Sequence, residues 1–582
     1  MPARNGPVHV VTTRRTYKDK VYCSHLLRRS YREDGKVKNE TLGNLSHLPE
    51  PLVEIIRRSL QGQTFVPLEA TFQITRSRAQ GHVQAISLAM QRLGLSSLIG
   101  STPCRERDLV LAMVASRIAF AHTKLATTRR WHTCTLAEDF GVADADEDDL
   151  YAAMDWLLTR QDAIQAKLAP RHLSSGGLVL YDLSSSYFEG STCPLARRGY
   201  SRDGKPGTLQ VNYGLLTDAR GCPVAVSVFE GNTADSKTFM PAVQRVREDF
   251  GVQQVVMVGE RGMRTVGTQQ KAIDELRQTD AMGWITALKS VSIRALVEQG
   301  QLQLGLFDER NLVELESPDY PRERLVACRN DALAKLRAHK REELLKATEA
   351  HLLEVQASVD AAKLRGQDKI GVRVGKIINK HKVAKHFELV ITDASLAWTR
   401  RQDHIDSEAA LDGLYIIRTS VSAAQMDAPT CVRNYKSLAN VERAFRSLKT
   451  IDLKVRPIHH RLEKRVRSHL FLCMLAYYVE WHMRQAWAPL TFTDTDQPAK
   501  ATRDPVAPAK RSKSAQDKAS SHTLPDGQTT HSFATLMVDL ATIVSNTCRS
   551  PKSAPDSPTF NVLTTATAHQ LKAIALIDAI KL

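Results

Sequence analysis

The stretch LVLYDLSSS (178–186) sets Asp182 in the middle of an apolar run that reads as a strand. A carboxylate there is expensive to bury unless it is paired or bound to a metal. A hydrogen bond to a neighbouring loop is the plainer alternative. The surrounding block constrains the choice. GGLVLYDLSSSYF reads as a strand, and QVNYGLLTD and CPVAVSVFEGN as two more, joined by the turn DARG. DSKTFMPAVQRVREDFG then reads as a helix, VQQVVMVG as a strand, TQQKAIDELRQ as a helix and GWITALKS as a strand.

Three antiparallel strands feeding a crossover helix to a fourth strand is the opening order of an RNase H-like domain. In that order the fourth strand lies beside the first. It exits at Glu260, followed at once by Arg261. Glu260 is therefore either a loop acid neutralised by Arg261 or a chemical group facing Asp182. A third acid, Glu442, falls on the helix predicted for NYKSLANVERAFRSLKT, after the strand GLYIIRTS. At ~100° per residue Val441, Ala444, Phe445 and Leu448 form its buried stripe, with Glu442, Arg446 and Lys449 clustered beside it. A surface Glu–Arg pair is the alternative for Glu442.

Acids at 182, 260 and 442 on two adjacent strands and a packed helix can converge on one point. Convergent carboxylates repel unless cations neutralise them, and oxygen-seeking Mg²⁺ or Mn²⁺ is the natural choice. Two such ions would activate a water or 3′-hydroxyl and stabilise the leaving oxygen in an in-line displacement at phosphorus. The charge balance agrees with a polyanionic substrate, since Lys and Arg exceed Asp and Glu by 17 over 582 residues. Nine scattered cysteines, never in a CxxC pair, argue against a disulfide framework or a cysteine-rich zinc site and fit a reducing cytosol. The N-terminus has no signal-peptide apolar core, and the longest apolar run, 470–479, is far short of the ~20 residues of a membrane helix. These features predict a soluble cytoplasmic protein with no membrane partner.

The predicted fold class is α/β within an α+β multi-domain chain: an RNase H-like mixed-sheet catalytic domain with an inserted domain and a helical, basic N-terminal region. Residues 1–75 read as basic strands around the turn EDGK, and 76–173 as a helical, DNA-binding region. The catalytic domain spans 174–289 and 411–488, interrupted at 290–410 by an insertion with strands (RNLVELES, RERLVACR, HFELVITD) and a long charged helix. The Pro-, Ser-, Thr- and Lys-rich stretch 489–530 reads as a disordered linker, and 531–582 as a helical tail.

The segment YKSLANVERAFRSLK resembles the DDE transposases of bacterial insertion sequences, in the superfamily marked by a Y-x2-R-x3-E-x6-K signature. Tyr435, Glu442 and Lys449 occupy its positions, and Leu438 stands where the signature has Arg. YDLSSSYFEG, FEGNTADSKTF, GLYIIRTS and RPIHHRLEKRVRSHLFLCMLA are similar to further stretches of that family, in the same order. The resemblance implies that Asp182, Glu260 and Glu442 are the catalytic, metal-ligating acids, with Glu260 where the family has Asp in a D-R-G-M context. It implies DNA-phosphate contacts by Tyr435 and Lys449, with Arg446 able to replace the missing Arg. Asp235 is expected beside the site or as the N-cap of the helix that follows it, and Arg261 beside Glu260. The implied function is transposition: a homodimer in the cytoplasm, on the nucleoid, binds double-stranded DNA at terminal inverted repeats, cleaves it and transfers it to target DNA. A nuclease without strand transfer and a catalytically impaired DNA-binding relative are the alternatives.

Overall fold

The computed structural model describes residues 6–582 apart from 18–19, 66–70, 261–281, 304, 306, 497–502 and 551–557. The predicted helix TQQKAIDELRQ (268–278) lies outside the described residues. The chain divides into two compact units, Met1–Ser77 with Ser545–Thr564, and Arg78–Val544 with Thr565–Leu582.

In the first unit β1 (Val8–Tyr17), β2 (Lys20–Glu33) and β3 (Lys36–Asn44) form an antiparallel meander. The expected turn joins β2 to β3: Asp34 and Gly35 both take positive φ (50° and 72°), as a tight two-residue hairpin requires. A helix, Glu50–Leu60, follows in a region that reads as strands. It rests on β1 through Arg57, which donates to the Thr12 hydroxyl at 2.8 Å. The strand β4 (Gln73–Ala79) shares a small sheet with Val544–Arg549 and Phe560–Leu563, so the tail predicted to be helical contributes strands as well as helices.

The second unit is built around the helix Glu463–Ala486, buried on nearly every side from Val466 to Met483. A helix that is apolar all round belongs in a core. The helices Gly81–Arg92, Arg105–Ala119 and Glu147–Leu158 pack on it, as the 3–4 spacing predicts. The sheet beside it contains β5 (Leu178–Tyr187), β6 (Arg197–Arg198), β7 (Leu209–Asp218), β8 (Pro223–Glu230), β9 (Val255–Gly259), β10 (Met282–Ala287), β11 (Leu312–Leu315) and β12 (Arg324–Arg329). After the hairpin β13 (Phe387–Ile391) and β14 (Leu396–Arg400), β15 (Leu414–Thr419) completes it. Its central order is β8-β7-β5-β9-β10, with β5, β7 and β8 antiparallel and β5, β9 and β10 parallel. That is the RNase H order expected from the sequence.

Three expectations are corrected. RNLVELES and RERLVACR, assigned to the insertion, are β11 and β12 and extend the catalytic sheet through β15. Local periodicity reveals a strand but not its partner. The rest of the insertion, the helices Asp331–Asp360 and Gln367–Ile378 with the β13–β14 hairpin, has its own core around Leu352, Ile370 and Phe387. Second, much of the supposed linker is ordered. Its helix Lys513–Ser521 is capped by Ser512, Lys518 donates to the carbonyls of Thr491 and Thr493 at 3.1 Å each, and Val506 and Leu524 are buried. Third, the predicted helix NYKSLANVERAFRSLKT is broken: Ala428–Lys436 ends at Ser437, Leu438–Arg446 follows, and Ser447–Ile451 winds as a π-helical turn.

That turn is anchored to the central helix by a buried charge network. Glu480 accepts from Arg484 Nε at 2.6 Å and from the Ser447 hydroxyl at 3.2 Å, and Arg484 Nη2 reaches Asp452 at 2.8 Å. Removing one partner of a buried pair typically costs ~3–5 kcal/mol. Arg484→Ala, which takes the cation from Asp452 and from Glu480, whose carboxyl burial already pushes up to about 8, should therefore lower the apparent thermal unfolding midpoint below that of wild type, and Arg484→Lys by less. An unchanged midpoint in Arg484→Ala would refute this role.

Candidate active site

The strand register aligns the acids. β5 and β9 run parallel with Leu180 opposite Val258 and Tyr181 opposite Gly259. One residue further, Glu260 comes level with Asp182. The Thr286 hydroxyl, on β10, donates to the Glu260 carbonyl at 3.0 Å and holds the backbone as it leaves the sheet. On the other side of β5, Ser184 faces Tyr213 of β7, and antiparallel partners share a face. Side chains alternate along a strand, so Asp182, Ser184 and Tyr213 point the same way. The Tyr213 ring meets Phe445 edge-on, with centroids 5.7 Å apart. The face bearing Asp182 is therefore the one covered by the Leu438–Arg446 helix, which carries Glu442. Tyr181, on the opposite face, meets Phe239 of the Ser236–Gln244 helix.

The electrostatics place Glu260 and Glu442 within range of Asp182. Asp182 is 7% exposed. Its carboxyl is pushed up to about 8, first by burial and then by Glu260, with Glu442 adding to the rise. The Leu183 N–H, donating to Asp182 at 2.8 Å, and the Arg202 guanidinium pull the other way. Both other acids thus act on Asp182 through space. Carboxylates gathered in this way are hard-oxygen donors of the kind that suits a divalent cation. Glu442 and Arg446 are exposed one turn apart, while Val441, Ala444, Phe445 and Leu448 are buried as the helix pattern predicts.

The remaining expected residues are placed differently. Tyr435 is half-buried on the preceding helix, across the break at Ser437. Leu438 is buried in the core. Lys449, expected on the exposed basic row, is buried and donates to Asp203 at 3.0 Å, because the wide π turn rotates it inward. Asp235 occupies the N-cap position of the Ser236–Gln244 helix but makes no side-chain cap; its carboxylate takes Arg202 Nη2 at 2.5 Å instead. Arg261 lies outside the described residues.

Sequence reasoning missed the loop GYSRDGKPG (199–207). Arg202 is the cation that acts on Asp182. Asp203 is buried and accepts from the Tyr187 N–H at 2.9 Å, from Lys449 and from Arg456. A lone acid set among bases was the available signal.

Two family models match the chain. Residues 10–66 match the IS1634 family transposase N-terminal domain. Residues 178–479, more than half of the chain, match the transposase DDE domain. The chain belongs to the DDE transposase family. It is a transposase of the bacterial insertion-sequence type, and the matched DDE segment opens on β5 and spans Asp182, Glu260 and Glu442. DDE domains depend on divalent cations, which the donor set here fits. No curated protein matches the chain. Among solved structures, a piggyBac transposase synaptic complex with hairpin DNA aligns at 9% identity and a TM-score of 0.36, over 79% of this chain and 77% of that one. Among the described residues of the transposase, no single helix is long and apolar enough to cross a membrane.

The raised Asp182 carboxyl predicts a pH dependence of stability. Its folded value of about 8 lies above the ~3.9 of an unfolded aspartate. Between those values the folded chain holds a proton that the unfolded chain has released, so stability falls as pH rises through that window. In chelator, Asp182→Asn should gain stability relative to wild type between pH 5 and pH 8, by on the order of a few kcal/mol. Parallel thermal melts at the two pH values test this; a gap that does not change with pH would contradict it.

Proposed function

We propose that this transposase uses Asp182, Glu260 and Glu442 to hold Mg²⁺ or Mn²⁺, two ions in all, and with them cuts double-stranded DNA at the ends of its element and joins those ends to target DNA. One arrangement carries this reading: the β5–β9 register brings the exit at Glu260 beside Asp182, and the helix of Glu442 covers the face that bears Asp182. When bound, the ions would supply an activated oxygen nucleophile and stabilise the leaving oxygen. The chain's own residues supply the frame. Asp182 stands in a strand buried on both faces, Glu260 at the exit of the neighbouring strand, and Glu442 on a helix that leaves it exposed to substrate.

Arg446, exposed one helical turn beyond Glu442, is proposed to hold a DNA phosphate, with Tyr435 contributing from the preceding helix. Lys449 would reach the backbone only by leaving Asp203, and is proposed instead to support the loop that carries Arg202. Asp235 would position Arg202. The excess of 17 positive charges favours a polyanion, and the basic N-terminal meander and the helices that follow are proposed to read the terminal repeats. The transposase would act as a homodimer on two ends, in the cytoplasm on the nucleoid.

The test uses labelled transposon-end duplex, target plasmid and Mg²⁺ with the full-length protein. Asp182→Asn, Glu260→Gln and Glu442→Gln should each lower strand cleavage and joining about a thousandfold or more, while end binding in a gel-shift assay persists. Wild type that cuts but never joins would reduce the proposal to a nuclease. An inactive wild type restored by Glu260→Asp would mark it as impaired. In the same binding assay, Arg446→Ala should weaken affinity for all sequences alike and flatten the salt dependence by about one phosphate contact. An unaltered salt slope would remove Arg446 from the interface.

A further inference from the structure

Apart from the acids, three metal-ligating side chains from separate elements meet in the core of the second unit. His172 is the last residue of the Gln161–His172 helix, Cys222 lies in the turn between β7 and β8, and His482 is on the Glu463–Ala486 helix. Cys222 Sγ is 3.9 Å from His172 Nε2 and 3.8 Å from His482 Nε2, and the three donor atoms all lie within 4.8 Å of one another. A thiol engaged with one imidazole would sit closer to it than to the other. Here the sulfur is almost equidistant from both, as it would be around a common centre. With Zn–S at ~2.3 Å and Zn–N at ~2.0–2.1 Å, tetrahedral angles place sulfur and nitrogen about 3.5 Å apart. Each sulfur–nitrogen pair needs to close by only a few tenths of an ångström.

The surroundings suit a zinc ion. Cys222 is fully buried and His482 nearly so, which keeps competing water away. Burial keeps the imidazoles of His172 and His482 neutral, the form that ligates, and pushes the Cys222 thiol well above its ordinary value, so zinc would displace the thiol proton on binding. The Tyr478 hydroxyl is 3.1 Å from His172 Nε2, close to the spacing of neighbouring vertices in a tetrahedral zinc site. The nearby cations are engaged elsewhere: Arg220 on Asp218, Arg171 on the Leu93 carbonyl.

We propose that His172, Cys222 and His482 form a structural zinc site, with the Tyr478 hydroxyl or a water at the fourth position. One thiolate and two imidazoles select zinc over the hard cations that suit carboxylates, so the two metal chemistries of the chain stay separate. The ion would fix the β7–β8 turn, which also supports the helix of Glu442. Asn440 of that helix donates to the Ala219 carbonyl at 3.0 Å. Gly221 (φ 88°) lets the turn approach so closely that a Cβ there would lie 2.8 Å from Asn440 Cβ. The zinc would thus tie the first sheet half, the central helix and the third acid's helix at one point. It does not depend on the assignment of the acids.

The test is zinc content and zinc X-ray absorption of full-length protein expressed with zinc and dialysed free of loose metal. Wild type and Glu442→Gln should retain stoichiometric zinc, and Cys222→Ser and His482→Asn should each lose at least tenfold of it. The wild-type spectrum, which requires no variant, should show one sulfur near 2.3 Å with the remaining shell of nitrogen or oxygen near 2.0 Å. Wild type without zinc, a shell lacking sulfur or containing several sulfurs, or folded Cys222→Ser that keeps its zinc would each overturn the proposal.

Discussion

The burial of one carboxyl organises this protein. β5 is covered on both faces, so its side chains are apolar or small except at Asp182. The Leu183 N–H and the Arg202 guanidinium compensate that side chain only in part, and the acids around it make its charge costlier. The parallel neighbour ends at Glu260, the covering helix presents Glu442, and the cation that acts on it, Arg202, is shared with Asp235. A core of the size shared by the sheet and the helical region can carry such a local cost. Stability is lowered at one point, and perturbed acids of this kind cluster at functional sites.

Asp203 shows the alternative solution in the same unit. It too is a buried acid, yet it has a backbone N–H and two cationic side chains, Lys449 and Arg456. A buried carboxylate so completely satisfied is a structural joint, and this one fastens the loop of Arg202 to the π turn after Glu442. The difference between the two acids is their partners rather than their burial. That distinction also explains why Lys449 turns inward: the joint consumes a cation that the helical pattern alone would leave at the surface.

Much of this was legible in the sequence, for reasons that can be named. Alternation and apolar runs mark β5, β7, β8, β9 and β10, and their order specifies which are neighbours, so the sequence alone sets Glu260 beside Asp182. The stripe Val441, Ala444, Phe445 and Leu448 oriented Glu442 correctly. What failed were features that depend on partners distant in the chain. β11 and β12 look like any strands until β15 pairs with them. The ordered part of 489–530 is polar and gains its order from Lys518 and Ser512 reaching backbone and side chains elsewhere. The break at Ser437 has no Gly or Pro to announce it. His172, Cys222 and His482 share no spacing at all, since three separate elements bring them together.

Glu260 is where these threads bear on activity. Its backbone has little room to adjust: β9 is registered against both β5 and β10, and Thr286 holds the Glu260 carbonyl. Nor can the other acids easily move toward it. Asp182 is locked in the central strand, and the helix of Glu442 is held at one end by Asn440 on the β7–β8 turn and beyond its other end by Ser447 on Glu480. The methylene that distinguishes Glu from Asp displaces a carboxylate by ~1.5 Å, against a catalytic tolerance of roughly 0.5 Å. The compensation must therefore come from the side chain itself. Glu260 is exposed at the strand exit rather than packed in the core. In the proposed site the longer acid is accommodated at the strand exit, where its side chain faces solvent while the frame behind it is fixed.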